Sequence, residues 1–139
     1  MKLSVKKINN EAVLPTRAHS YDAGMDLYVN GRQVITAHTT IAVSTGISME
    51  IPEGFVGLIW DKSSVGAKGL KTLGGVVDSE YRGEVKVIVH NLNNEDIVFE
   101  HGQKIAQMLI QKVELVDIEE VADLSSTVRG EGGFGSTGQ

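Results

Sequence analysis

The sequence predicts an all-β protein, a jelly-roll-like antiparallel β-barrel with a flexible glycine-rich C-terminal arm. Three observations carry that expectation. Val and Ile together number 28 against 10 Leu, and β-branched side chains, stiff at χ1, suit a pleated surface. The apolar runs are short and are separated by turn chemistry such as NGR, PEG, YRG and NNED. Five of the last ten residues, GEGGFGSTGQ, are glycine, which leaves the backbone there few steric limits.

The expected strands, in order, are LSVKKI, GMDLYV, RQVIT, TTIAVST, GISMEI, FVGLIW, EVKVIVHN and DIVFE. Many short strands at close spacing read as a barrel or jelly roll. In EVKVIVHN, Val85, Val87 and Val89 share one face. Glu84, Lys86 and His90 share the other, with Ile88 the exception. In KIAQMLIQKVELV, Ile105, Met108, Leu109, Val113 and Val116 recur at helical spacing, so periodicity alone allows a helix. The β-branched Ile110, Val113 and Val116 favour a strand. From Ala122 onward apolar density falls. The division expected is a barrel domain over 1–121 and an arm over 122–139.

Composition narrows the function classes. A chain of 139 residues with 41% hydrophobic and 22% charged content is most simply one globular domain. It has no cysteine, which rules out disulfides and thiolate chemistry and suits a reducing, cytoplasmic setting. No apolar run reaches membrane-spanning length, and MKLSVKKINNEAV lacks an apolar signal core. A net charge of −5 argues against a broad nucleic-acid-binding surface. It leaves room for a small anionic ligand held by local cations and N–H groups. The histidines, at 19, 38, 90 and 101, are too scattered for a structural zinc site. GEGGFG matches G-x-G-x-x-G formally, but only four residues follow Gly135, so no helix can complete a dinucleotide fold. GAKGLKT lacks the glycine that a phosphate-binding P-loop has before its lysine.

Four stretches place polar residues inside apolar strands beside glycines. In AGMDLY, Asp26 sits among Met25, Leu27 and Tyr28, where a buried charge needs a partner. A turn-end aspartate capping an N–H is the other reading. DKSSVGAKGL offers Lys62, Ser63, Ser64 and two glycines, an anion-cradling set if a helical turn opens at Ser63 or Ser64. A polar loop with a serine N-cap is the reading that this stretch favours on its own. GGVVDSEYRGEVKVIVHN presents Asp78, Glu80, Tyr81 and Arg82. An Asp-to-Arg turn accounts for those charges, but not for the apolar approach of Gly74–Val77, which puts Asp78 at a buried strand end. In GQKIAQMLI, Gln107 interrupts an apolar run, and a buried amide must find partners.

The order and wording of these stretches, with RGEGGFGSTG at the end, resemble the five motifs of the homotrimeric deoxyuridine triphosphatases (dUTPases). The resemblance runs from Ala23 to Gly138, and the third and fifth motifs are highly specific. It implies a jelly-roll-like dUTPase fold of the β-clip type. It also implies hydrolysis of dUTP to dUMP and pyrophosphate by water attack on the α-phosphorus, with Mg²⁺. That activity keeps uracil out of DNA and supplies dUMP for thymidylate synthesis.

By the same resemblance Asp78 matches the aspartate beside the attacking water. In-line phosphoryl transfer needs an oriented nucleophile and neutralised charge. An aspartate of ordinary pKa is a weak base at neutral pH, so orientation and polarisation of water are its expected work. Asp26 and Gln107 match catalytic positions in the outer shell of Mg²⁺, with no direct protein ligand. The ion is expected on the substrate phosphates and waters. Lys62, Ser63 and Ser64 match phosphate-chain contacts, and Lys104 and Arg129 match positions that support phosphate binding. Tyr81 matches the aromatic residue that packs on deoxyribose and excludes a 2′-hydroxyl. Uracil is expected against the hairpin around Gly75, Val77, Val85 and Lys86, whose backbone donors would reject cytosine. Phe134 matches the ring that stacks on uracil, and Gly135, Ser136 and Thr137 match phosphate contacts. The arm is expected to act as a lid over a neighbouring subunit's site, giving a homotrimer with shared sites and no nucleic-acid or membrane partner.

Three positions depart from the pattern. Lys62 stands where Arg is usual, which trades a planar fork for a point charge. Asp61 stands where Pro is common. Thr72 stands where some members carry Asn. The closest rival, a dCTP deaminase of the same fold, needs a glutamate ten residues after the motif-three aspartate, where this chain has Ile88. The other rival is a non-catalytic dUTP-binding regulatory protein.

Overall fold

The computed structural model describes residues 1–133. Those residues form eleven strands and one helical turn: β1 (Ser4–Lys7), β2 (Met25–Tyr28), β3 (Gln33–Ile35), β4 (Thr40–Ser44), β5 (Ile47–Glu50), β6 (Phe55–Asp61), α1 (Ser63–Gly66), β7 (Leu70–Leu73), β8 (Val76–Val77), β9 (Lys86–Asn91), β10 (Ile97–Phe99) and β11 (Lys104–Lys112). Every strand pair is antiparallel. The sheets run β1-β5, β10-β3, β2-β11-β6-β8 and β4-β9-β7. The all-β jelly-roll expectation holds, and each expected strand is present. No helix among the described residues is long and apolar enough to cross a membrane.

Alternation decides which faces meet. Val85, Val87 and Val89 are buried, while Lys86 and Ile88 point outward. Inward they join Leu27, Ile35, Ile47, Ile105 and Met108 in one core. The segment with ambiguous periodicity is a strand. β11 pairs with β6 from Ala106 to Lys112 and with β2 from Lys104 to Met108. A register shift between Lys104 and Ala106 interrupts its alternation, and the consecutive residues Ile105 and Ala106 are both buried.

One strand, β7, lies outside the expected strands, while β8 is the short apolar approach to Asp78 that the sequence suggests. The β7–β9 ladder runs to Leu73↔Ile88. Then Gly74 and Gly75 take φ of +65° and +102°, conformations that favour glycine. They swing the chain off β9 and onto β6, where Val76 and Val77 pair with Leu58 and Gly57. A side chain at Gly75 would lie 2.8 Å from the Ile59 carbonyl oxygen.

After β11 the chain leaves the barrel. Val113 N–H still donates to the Gly54 carbonyl at 2.9 Å. Among the described residues beyond it, hydrogen bonds are made only within the segment, as in Arg129 Nε to the Gly132 carbonyl at 2.8 Å. Leu115, Val116, Ile118, Leu124 and Val128 are exposed.

Candidate active site

Two clusters of the expected residues form, at separate places on the barrel. The first gathers the ends of β2, β6 and β11. Asp26 is only 7% exposed and is gripped by two ammoniums. Lys62 Nζ is 2.8 Å from Oδ1 and Lys104 Nζ is 2.6 Å from Oδ2. Burial alone would raise the Asp26 pKa, but hydrogen bonds from Lys104 and Lys62 and their charges outweigh it, so the pKa is lowered. The hydrogen bond to Asp26 in turn raises the Lys104 pKa. The partner that a buried carboxylate requires is therefore present twice, and the group carries one net positive charge.

Gln107 completes this cluster. It lies opposite Asp26 on β2 and Trp60 on β6. Its Nε2 donates to the Asp61 carbonyl at 2.9 Å, so the amide has found a partner as expected. Lys62 is also the N-cap of α1 but makes no side-chain cap bond. Ser63 and Ser64 are the first helical residues, both exposed. The serine N-cap reading is thereby replaced: the cap is Lys62, and neither serine side chain is needed to close the turn. Lys62, Ser64, Lys68 and Lys104 line one cavity of about 320 Å³. Asp61, where proline is common, accepts from Lys71 Nζ and, at 2.7 Å, from Thr72 N–H. Burial raises its pKa and these donors lower it further than that. Asp61 and Thr72, two of the three departures, thus bond to each other.

The second cluster surrounds the gap left where the chain quits β9 for β6. β8 pairs only with β6, and no ladder joins residues 75–77 to residues 85–87. Gly75, Val77, Asp78, Tyr81, Glu84 and Lys86 line the resulting cavity of about 310 Å³. Val85 is buried, its N–H donating to the Ile47 carbonyl at 2.9 Å and its carbonyl accepting from Thr45 Oγ1. Tyr81 is half-exposed and its hydroxyl donates to the Glu84 carbonyl at 3.0 Å.

Two expectations need correction here. Asp78 is exposed. β8 is a two-residue edge strand that buries Val77 and ends there, leaving Asp78 in solvent. Nor does the turn close by an Asp-to-Arg pair: Arg82 bonds to the Ser79 and Tyr81 carbonyls and approaches Glu50. Sequence reasoning also placed Glu84 on the outer polar face without a role. It accepts from Ser44 Oγ and from Gly46 N–H at 2.9 Å, and Lys86 Nζ lies 3.6 Å away. Burial opposes its ionisation, but these donors prevail and its pKa is lowered. It fastens the start of β9 to the β4–β5 turn, and strand alternation carried no signal of that bond.

A single chain does not bring the two clusters together. By register, Asp78 lies four residues along the sheet from Gln107 and three strands across from Asp26. At ordinary strand rise and spacing that is on the order of 20 Å. Arg129 lies in the exposed segment beyond the barrel. Phe134, Gly135, Ser136 and Thr137 lie outside the described residues.

The family model described as dUTPase matches residues 10–138. The chain belongs to the dUTPase family. The deoxyuridine 5'-triphosphate nucleotidohydrolase of Corynebacterium glutamicum is 45% identical to this dUTPase-family chain over 141 aligned residues, covering 99% of this chain and 95% of that one. The protein of the same name from Paramecium bursaria Chlorella virus 1 is 42% identical over 137 residues, covering 98% and 97%. Among solved structures, the Staphylococcus bacteriophage 80alpha dUTPase with dUPNHPP superposes with a TM-score of 0.92 at 27% identity, covering 99% of each chain. A dUTPase variant from phage phi11 of S. aureus, whose structure describes coordination of a structural Mg(II) ion, has the same fold at 23% identity and a TM-score of 0.82 over 88% of this chain and 98% of that one.

Proposed function

We propose that this dUTPase-family protein hydrolyses dUTP to dUMP and pyrophosphate by attack of water on the α-phosphorus. The observation that carries the reading is the gap between residues 75–77 and 85–87. The two backbone edges that face each other across it have no ladder between them, and Asp78 and Tyr81 lie at its mouth. A pyrimidine edge can take the place of the missing rung. Fixed N–H and C=O groups accept uracil and leave cytosine with a mismatched donor. Tyr81 walls the sugar side, where a 2′-hydroxyl would clash. Asp78, exposed and with no side-chain hydrogen bond among the described residues, is free to orient a water.

Phosphates belong with the other cluster. Lys62, Lys104 and Lys68 supply cations around the exposed Ser63 and Ser64. No group of three metal-ligating side chains occurs among the described residues, and both Asp26 oxygens already face ammoniums. That donor set fits Mg²⁺ carried on the triphosphate, with Asp26 and Gln107 acting on its water shell. When bound, the ion supplies charge neutralisation on the phosphate oxygens. A substrate spanning both clusters requires them to come from different protomers. The homotrimer meets that need, the exposed apolar residues 115–128 giving neighbours something to bury. The arm over 122–139, with Arg129, Phe134, Gly135, Ser136 and Thr137, closes over the assembled site. The protein works in the cytoplasm, without nucleic acid or membrane as partner.

The test is pyrophosphate release from dUTP, dCTP, dTTP and UTP, with Mg²⁺ and with EDTA. The expected result is release from dUTP alone, suppressed by EDTA. Binding of dUTP without release would favour the regulatory reading. Ammonia from dCTP would favour deamination, which the apolar Ile88 beside the cavity speaks against.

A further inference from the structure

The turn between Asp78 and Tyr81 is held by an unassigned side chain. Arg82 Nη1 donates to the Ser79 carbonyl at 2.6 Å and to the Tyr81 carbonyl at 3.1 Å. Its Nη2 lies 3.6 Å from Glu50 Oε1 at the end of β5. Tyr81 N–H donates back to the Asp78 carbonyl at 3.1 Å. Gly83 leaves the space that the Tyr81 ring occupies: a Cβ there would lie 2.4 Å from the Tyr81 hydroxyl.

We propose that Arg82 is a positioning residue, a guanidinium clamp that fixes the 78–81 turn and so sets Asp78 and Tyr81 at one mutual distance. The inference rests on the roles given above to those two residues. The physical case is geometric. The turn sits on the edge of a two-residue strand and has no ladder of its own. A planar guanidinium can bridge two carbonyls in fixed geometry, and charge-assisted donors are about twice as strong as neutral ones. The Glu50 pair is exposed and too long to be the main tie. Its part is to aim the guanidinium.

The experiment compares Arg82→Ala with the unaltered protein on dUTP and UTP, with Tyr81→Ala as reference. A loosened turn misplaces the water and opens the sugar wall together. Arg82→Ala is expected to lower kcat on dUTP about tenfold and to narrow the dUTP-to-UTP ratio in kcat/KM, with little change in Tm. Added methylguanidinium should restore part of both, which repair of a merely structural defect would not do. If Arg82→Ala keeps kcat and the ratio while Tyr81→Ala loses the ratio, the clamp is refuted and the Tyr81 role stands. If Tyr81→Ala also rejects UTP, the Tyr81 role falls and the inference falls with it.

Discussion

Gln107 is seated against the absent side chain of Gly24: a Cβ on residue 24 would lie 2.2 Å from Gln107 Oε1 and 3.2 Å from its Cβ. Gly24 has no need of a positive φ. Its glycine serves the amide, and Gly24→Ala should push Gln107 off the Asp61 carbonyl. The far end of the amide can swing, so the stability loss is about 1 kcal/mol. The turnover loss should exceed what that destabilisation explains. Melting curves and steady-state rates on the same preparation check it.

Asp26 makes stability depend on acid. Its folded pKa is below the unfolded value because Lys104 and Lys62 favour the carboxylate over the burial that opposes it. The stabilisation is therefore complete above the unfolded value of about 4 and is lost as pH falls through the lower folded value. Asp26→Asn should cost about 2 kcal/mol at pH 7. The difference between the two proteins should shrink as pH falls through that lower folded value. Tm measured from pH 7 to pH 2.5 gives the answer.

Asp78→Asn should leave binding of a non-hydrolysable dUTP analogue in place and lower kcat about a hundredfold or more. Isothermal titration beside pyrophosphate release separates the two effects. Equal loss of both would assign Asp78 to holding the hairpin.

Removing residues 129–139 should leave the barrel's Tm unchanged, since Arg129 and its described neighbours bond only within their own segment. Turnover should fall sharply. A drop of several degrees would show instead that the segment is part of the assembled core.

The strands were legible because this chain states them in β-branched runs and turn residues. β11 is the hard case: the register shift between Lys104 and Ala106 buries the neighbours Ile105 and Ala106 together and interrupts the alternation that marks a strand. β7 is hidden because LKTL carries one buried residue among polar or exposed ones, and the switch from β9 to β6 at Gly74–Gly75 depends on Ile59, a partner distant in sequence. The motif residues were legible as a set. Their bonds were not. Nothing in AGMDLY says that Asp26 meets two lysines, and no local pattern places Glu84 on Ser44 or Arg82 on carbonyls behind it.

The separation of Asp78 from Asp26 has a genetic meaning. If every working site draws its hairpin from one chain and its lysine-bound carboxylate from another, a chain defective in the hairpin and a chain defective at Asp26 are not equivalent losses. Unfolded and refolded together in equal amounts, Asp78→Asn and Asp26→Asn chains should regain activity in about one site in four, the fraction in which both donors are intact. Two inactive alleles would then complement each other, and a single inactive allele would poison sites in assemblies it shares with normal chains.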